Sequence, residues 1–195
     1  MRITKVYTRT GDAGKTRLAG GQQVWKDSLR VAVYGTVDEL NAIVGVVRAF
    51  NADGIGKKAS AERLERELRW IQNKLFDAGG ILATVPGQKF KNMPRIAAKD
   101  VQRLERLIDG CQKDLAPLKE FILPGGGKVA ALLHHARTVC RRAERECVRL
   151  AREEQVEPVI VKFLNRLSDT LFVLARWAGK LQGDPELLWE RDSGS

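Results

Sequence analysis

A chain of 195 residues is long enough to bury a real core and too short to divide comfortably into two domains. Its 34 Lys and Arg against 24 Asp and Glu leave a net charge of +10, which favours phosphate-bearing partners without choosing among nucleic acid, anionic membrane and nucleotide. Cys111, Cys140 and Cys147 are odd in number, lack metal-ligand spacing and fall on apolar helix faces, which argues against a disulfide framework and predicts reduced core thiols.

The first 28 residues are set apart by Gly11, Gly14, Gly20 and Gly21, which punctuate a Thr-, Arg- and Lys-rich stretch with almost no apolar period. They read as a structured loop or an ordered tail. The opening MRITKVYTRTGDAG has neither the apolar core of a signal peptide nor an Arg/Ser-rich presequence, and no later apolar run reaches membrane-spanning length. The expectation is a soluble, cytoplasmic protein with no membrane partner. Within this stretch GDAGKT, Gly11 to Thr16, matches only the end of a Walker A motif, because Arg9 stands where the leading glycine belongs and only Ile3 and Val6 offer bulk for a preceding strand. A standard P-loop is rejected. Bent glycine backbone can still turn N–H groups toward phosphate oxygens, while Thr8, Arg9, Thr10, Thr16, Arg17 and Lys26 supply hydroxyls and charge. On these residues alone a solvated basic tail is an equal alternative.

Helical spacing then takes over. Val33, Val37, Leu40, Val44 and Val47 predict a first helix over 29–50, with Asp38 and Asn41 on another face. Leu64, Leu68, Ile71, Leu75 and Leu82 predict a second over 59–83. Pro86 and Pro94 bound the longest break, VPGQKFKNMPR, expected to be a mobile surface loop. A third helix over 97–115 is carried by Val101, Leu104, Leu107, Ile108 and Cys111, and is followed by Pro117 and the FILPGGG turn. A fourth covers 130–151, and Pro158 opens a fifth that ends before Gly183. Outside the first few residues nothing alternates with a period of two. The fold class is therefore all-α, a bundle of about five helices joined by short turns.

The fourth helix holds the chemistry. At about 100° per residue, Arg137, Arg141, Glu144 and Arg145 spread over about a quarter of its circumference, beside an apolar stripe of Leu133, Ala136, Cys140, Ala143 and Cys147. Arginines on helices usually pair with Glu three or four residues away, and Glu144 and Glu146 are near enough. Against that, Arg137, Arg141, Arg145, Arg149 and Arg152 run together with little intervening acid, so their self-repulsion asks for an anionic ligand or an acidic face such as the Asp38 side of the first helix. His134 and His135 are the only histidines, and with no second ligand cluster no metal site is expected. Asn165 and Asp169 lie one turn apart on the last helix, and Phe121 before Pro124 is either a core plug or a residue shown at a cavity mouth.

Six strings together, TRTGDAGKTRL (8–18), WKDS (25–28), YGTVDELNA (34–42), FILPGGG (121–127), ARTVCRRAERE (136–146) and FLNRLSDTLFVLAR (163–176), resemble the PduO-type ATP:cob(I)alamin adenosyltransferases. The resemblance covers nearly the whole chain. It implies a single adenosyltransferase domain over 1–195, in which 1–28 closes over ATP, 29–182 forms the helical bundle and 183–195 is a C-terminal tail. It also implies a homotrimer with active sites between subunits. By resemblance Thr8, Arg9, Thr10, Gly11, Thr16, Arg17 and Lys26 surround the triphosphate, and Arg141, Arg142, Ala143, Glu144 and Arg145 match the nucleotide-binding run. Asn165 matches an asparagine near the nucleoside. Arg137 and Asp38 look like a salt bridge across the subunit boundary that belongs, with Arg141, to the catalytic set. Phe121 resembles the aromatic that helps displace the lower axial base of the corrinoid. Gln23, Ala32 and Gly127 depart from the family pattern, Gly127 standing where Ser or Thr is common.

The reaction so implied is attack of cob(I)alamin on the 5′ carbon of ATP, forming adenosylcobalamin and expelling triphosphate. It needs neutralised charge and aligned reactants, and no general base. ATP would arrive with Mg²⁺, cobalamin is the second substrate, and an unidentified reductase supplies the electron. The main rival is a basic helical nucleic-acid-binding protein, which predicts ATP-independent, steeply salt-dependent binding and leaves the glycine-rich segment and Phe121 without a task. A phosphotransferase or nucleotide hydrolase would share the ATP contacts but release phosphate or diphosphate.

Overall fold

The computed structural model describes residues 7, 9–52, 58–88 and 90–190. Five helices carry the fold: α1 (Leu29–Ala52), α2 (Lys58–Leu82), α3 (Ala98–Gln112), α4 (Gly127–Glu153) and α5 (Pro158–Gln182). They are preceded by a two-stranded antiparallel hairpin, β1 (Lys15–Arg17) and β2 (Gln23–Trp25). Thr8 lies outside the described residues, as do 1–6 and 191–195 of the two end segments.

Each helix forms where apolar residues recur three and four apart, and each buries that stripe. On α1 the stripe is Val33, Val37, Leu40, Val44 and Val47; on α2 it is Leu64, Leu68, Ile71, Leu75, Ala78 and Leu82. The α3 helix begins at Ala98, and Asp100 in its first turn reaches back so that its carboxylate accepts the Ala97 N–H at 2.9 Å. Pro158 sits in the first turn of α5, and Gly183 closes that helix with φ +78°. The α4 helix packs between α1 and α5, with α2 against α1 and α3 against α5. One continuous core results, in which Phe163 is the bulkiest of the fully buried side chains. Cys111, Cys140 and Cys147 are unpaired and buried in it, and burial raises the thiol pKa of Cys111 and Cys147 to about 11.

The hairpin is the departure from a purely helical reading. Its strands are three residues long, too short to show alternation, and it is held by the Gly20–Gly21 turn, where Gly21 (φ +87°) donates to the Leu18 carbonyl at 2.8 Å. Leu18 is buried, and the Ala19 N–H donates to Ala83 at the end of α2. That end is fastened further by Arg30. Its guanidinium donates to the carbonyls of Leu82 (2.8 Å) and Thr84 (3.0 Å) and to Glu154 Oε2 (2.6 Å), so one side chain joins the ends of α1, α2 and α4. The break over 85–95 packs back onto α2: the Pro94 ring lies over Gly80, where a Cβ would stand 2.9 Å from Pro94 Cγ.

Candidate active site

On α4 the apolar stripe Ala136, Cys140, Ala143 and Cys147 is fully buried, which turns Arg141, Glu144 and Arg145 outward. They line a cleft of about 370 Å³ with Arg149, Arg152 and, from α5, Asn165. Asn165 Nδ2 donates to Glu144 Oε1 at 2.9 Å, which fixes the cleft's carboxylate against its amide. The other acid of the run, Glu146, accepts the Thr36 hydroxyl of α1 at 2.5 Å. Both glutamates are thus taken by partners other than the arginines. Arg141 and Arg145 have neither an ion pair nor a hydrogen bond among the described residues, so they present unneutralised guanidinium groups to the cleft. Such an array suits a polyanion of nucleotide size.

Arg142 and Ala143 do not reach this cleft. Arg142 lies about 100° further round the helix and pairs with Glu39 of α1, and Ala143 faces the core.

One turn before Arg141, Arg137 lines a second cleft, of about 530 Å³, with Phe121, Ile122, Pro124, His134 and Phe172. Its guanidinium carbon stands 6.0 Å from the Phe172 ring centre, and its buried Nε has no partner among the described residues. Burial and the nearby Arg141 together push the Arg137 pKa down. His134 is buried edge-on to Phe172 at 5.9 Å, with its pKa lowered first by burial and then by Arg137. Phe121 is 78% exposed and stands at the mouth, a presented residue rather than a core plug. Trp189 meets it edge-on at 6.3 Å. The cationic cleft and the aromatic cleft therefore adjoin, separated by one turn of α4.

The N-terminal residues form their own unit beside the C-terminal end of α2. Gly14 (φ +80°) donates to the Gly11 carbonyl, and the Lys26 N–H closes onto Gly14 at 2.9 Å. The Lys26 ammonium packs close against Gly11, 3.3 Å from where a Cβ there would stand. Arg9 adopts φ +59° and is exposed, and Thr10 lies beside it. Thr16 lies beside the Tyr34 hydroxyl of α1, while Arg17 donates to the Gly21 carbonyl at 3.0 Å. None of these residues lines the Arg141 cleft of the same chain. Asp38 is likewise not brought to Arg137: it is exposed on α1 with no partner among the described residues.

Sequence reasoning missed His134 and Phe172 as cleft residues and Trp189 as the ring that meets Phe121. His134 could have been found from its place one turn before Arg137 on the same face. Trp189 follows Pro185 in an irregular tail with no period to read. Among the described residues no group of three His, Cys, Asp or Glu could hold a metal ion, and no helix is long and apolar enough to cross a membrane.

Comparison with known proteins meets this geometry from a separate direction. The corrinoid adenosyltransferase of Bacillus subtilis (strain 168) is 43% identical over 189 residues, covering 97% of this chain and 94% of that one. The cobalamin adenosyltransferase of Cupriavidus metallidurans is 41% identical over 194 residues, covering 100% of this chain and 98% of its own. Among solved structures, a variant of the PduO-type ATP:corrinoid adenosyltransferase from Lactobacillus reuteri, complexed with cobalamin and ATP, superposes with a TM-score of 0.87 at 40% identity. That match covers 96% of this chain and 100% of the other. Residues 6–178, nearly the whole of the helical bundle with its hairpin, match the cobalamin adenosyltransferase family, and to that family the chain belongs.

Proposed function

We infer that this protein transfers the 5′-deoxyadenosyl group of ATP to cob(I)alamin, forming adenosylcobalamin and releasing triphosphate. The observation that carries the reading is the adjacency of the two clefts, one lined by unpaired guanidinium groups and the other by Phe121, with Arg137 and Arg141 one turn apart between them. ATP in the first and a corrinoid in the second would bring a 5′ carbon within reach of the cobalt. Arg141 and Arg145 neutralise the departing triphosphate, whose charge grows as the C5′–O bond breaks. Asn165, fixed by Glu144, faces the nucleoside, and Arg142 extends the cationic run toward α1. The backbone of Ala143 keeps the two outward turns in register. Mg²⁺ enters with ATP as part of that substrate.

The remaining parts require neighbouring copies of the chain. In a homotrimer the glycine-rich segment of one subunit closes over ATP on the next, so that Thr8, Arg9, Thr10, Gly11, Thr16, Arg17 and Lys26 surround the triphosphate. This is supported by the lining of the Arg141 cleft, to which none of that unit's described residues contributes within one chain. Asp38 meets Arg137 across the same boundary, which gives each lone charge its partner. Phe121 lies against the lower face of the corrinoid, excludes water and the axial base, and so favours reduction by a partner reductase.

The test incubates purified protein with ATP, Mg²⁺ and chemically reduced cobalamin and follows the absorbance of adenosylcobalamin together with inorganic triphosphate. Equal yields of the two are expected. A protein that forms no cobalt–carbon bond, or that releases phosphate or diphosphate in its place, would overturn the reading.

A further inference from the structure

Beyond α5 the chain turns back alongside residues 121–123 as a strap, and it is fastened there by residues the adenosyl transfer does not use. The Leu123 N–H donates to Leu187 at 2.7 Å and the Trp189 N–H to Phe121 at 2.8 Å, while Ile122 and Leu188 pair as an antiparallel bridge. Residues 121–123 and 187–189 thus form one ribbon. Apolar burial does not fix its position, because Leu187, Leu188 and Trp189 are about half exposed and Phe121 more so.

Arg176 fixes it. This α5 side chain is 7% exposed, and its Nε donates to Glu186 Oε1 at 2.6 Å while Nη2 reaches Glu186 Oε2 at 3.3 Å. The same Nη2 donates to the Ala116 carbonyl at 2.9 Å. One buried guanidinium therefore ties both limbs of the ribbon to the core, the limb that leads into Phe121 and the limb that ends in Trp189. A second anchor is peculiar to Gly127. A Cβ there would stand 1.8 Å from Asp184 Oδ2, so the glycine at the start of α4, with φ +83°, makes the room in which the strap's first carboxylate sits.

We propose that Arg176 and Glu186 are a positioning pair for the corrinoid side of the reaction, holding the Phe121 ribbon at the height that keeps a bound cob(II)alamin without its lower ligand. This rests on the functional reading above. The pair acts through the ribbon and touches neither substrate. No residue of the strap lines the Arg141 cleft, so its loss should leave ATP binding alone.

The experiment uses the full-length protein and two variants at the half-exposed end of the pair, Glu186→Ala and Glu186→Gln, with Arg176→Lys as a conservative partner. Glu186→Ala should raise the KM for cobalamin about tenfold while the KM for ATP stays within about twofold. The fraction of four-coordinate cob(II)alamin, read spectroscopically in the presence of ATP, should fall in the same variant. Arg176→Lys should lie between it and the parent, since lysine keeps the charge without the fork. Without any cobalamin, Trp189 emission should shift to the red in Glu186→Ala, with a Trp189→Phe protein as the control. Unchanged cobalamin KM and four-coordinate fraction in both Glu186 variants would overturn the proposal, as would an equal rise in both KM values. A parent protein that makes no adenosylcobalamin would instead overturn the functional reading itself.

Discussion

Arg141 and its neighbour Arg142 are the same residue type at consecutive positions, and the fold gives them opposite surroundings. Arg142 meets Glu39, whereas Arg141 faces a cleft whose one nearby carboxylate, Glu144, is held by Asn165. An unneutralised guanidinium in that position stabilises charge that develops on a leaving group more than charge already present, so its removal should fall on turnover. Arg141→Ala is expected to lower kcat by about 100-fold or more, with the assembly intact, and Arg141→Lys to recover only part of it. Initial rates of adenosylcobalamin formation measure this. A rate within about threefold of the parent would remove Arg141 from the reaction.

At the scale of elements, the helices are held by periodic burial but their ends are held by single polar side chains. Arg30 is the strongest case, since its guanidinium satisfies the carbonyls of Leu82 and Thr84 and meets Glu154 while its own side chain is 6% exposed. Truncation leaves two buried acceptors unsatisfied and a carboxylate without its partner. Arg30→Ala should cost about 3 kcal/mol in urea unfolding, and a loss below about 1 kcal/mol would mean that water replaces these bonds at no penalty. The same contrast explains what was legible in the sequence. All five helices were, because Val33 to Val47 and Leu64 to Leu82 repeat at spacings only a helix can bury on one side, and the outward arginine stripe followed from the same geometry. The hairpin and the strap were not. Three-residue strands carry no period, and the strap is placed by Arg176, Glu186 and backbone bonds between segments more than 60 residues apart, which no local pattern encodes. Phe121 was legible as a candidate through the family motif. Trp189, which meets it, was not.

At the scale of the whole molecule, three features of one chain remain incomplete. Among the described residues, Arg137 buries an Nε with no acceptor and Asp38 on another helix exposes a carboxylate with no donor, and the glycine-rich unit contributes no described residue to the lining of the cleft that its hydroxyls and cations would serve. A buried unsatisfied donor such as Arg137 Nε costs about 1–3 kcal/mol, and that cost is relieved if a second copy brings Asp38 to Arg137, while the same copy would bring its glycine-rich segment to Arg141. A cyclic arrangement of three satisfies every copy equally, because each boundary uses one face of either sort. Sedimentation should then give a species of three times 21.7 kDa. Asp38→Arg alone places like charges at the boundary and should dissociate it, as should Arg137→Asp alone. The chain carrying both substitutions restores an opposite pair, and trimer should return with it, though with lower activity because the charge beside Arg141 has changed sign. If either single variant sediments as the parent does, the two residues do not meet, and the closure of the N-terminal segment over a neighbour's cleft loses its geometric basis.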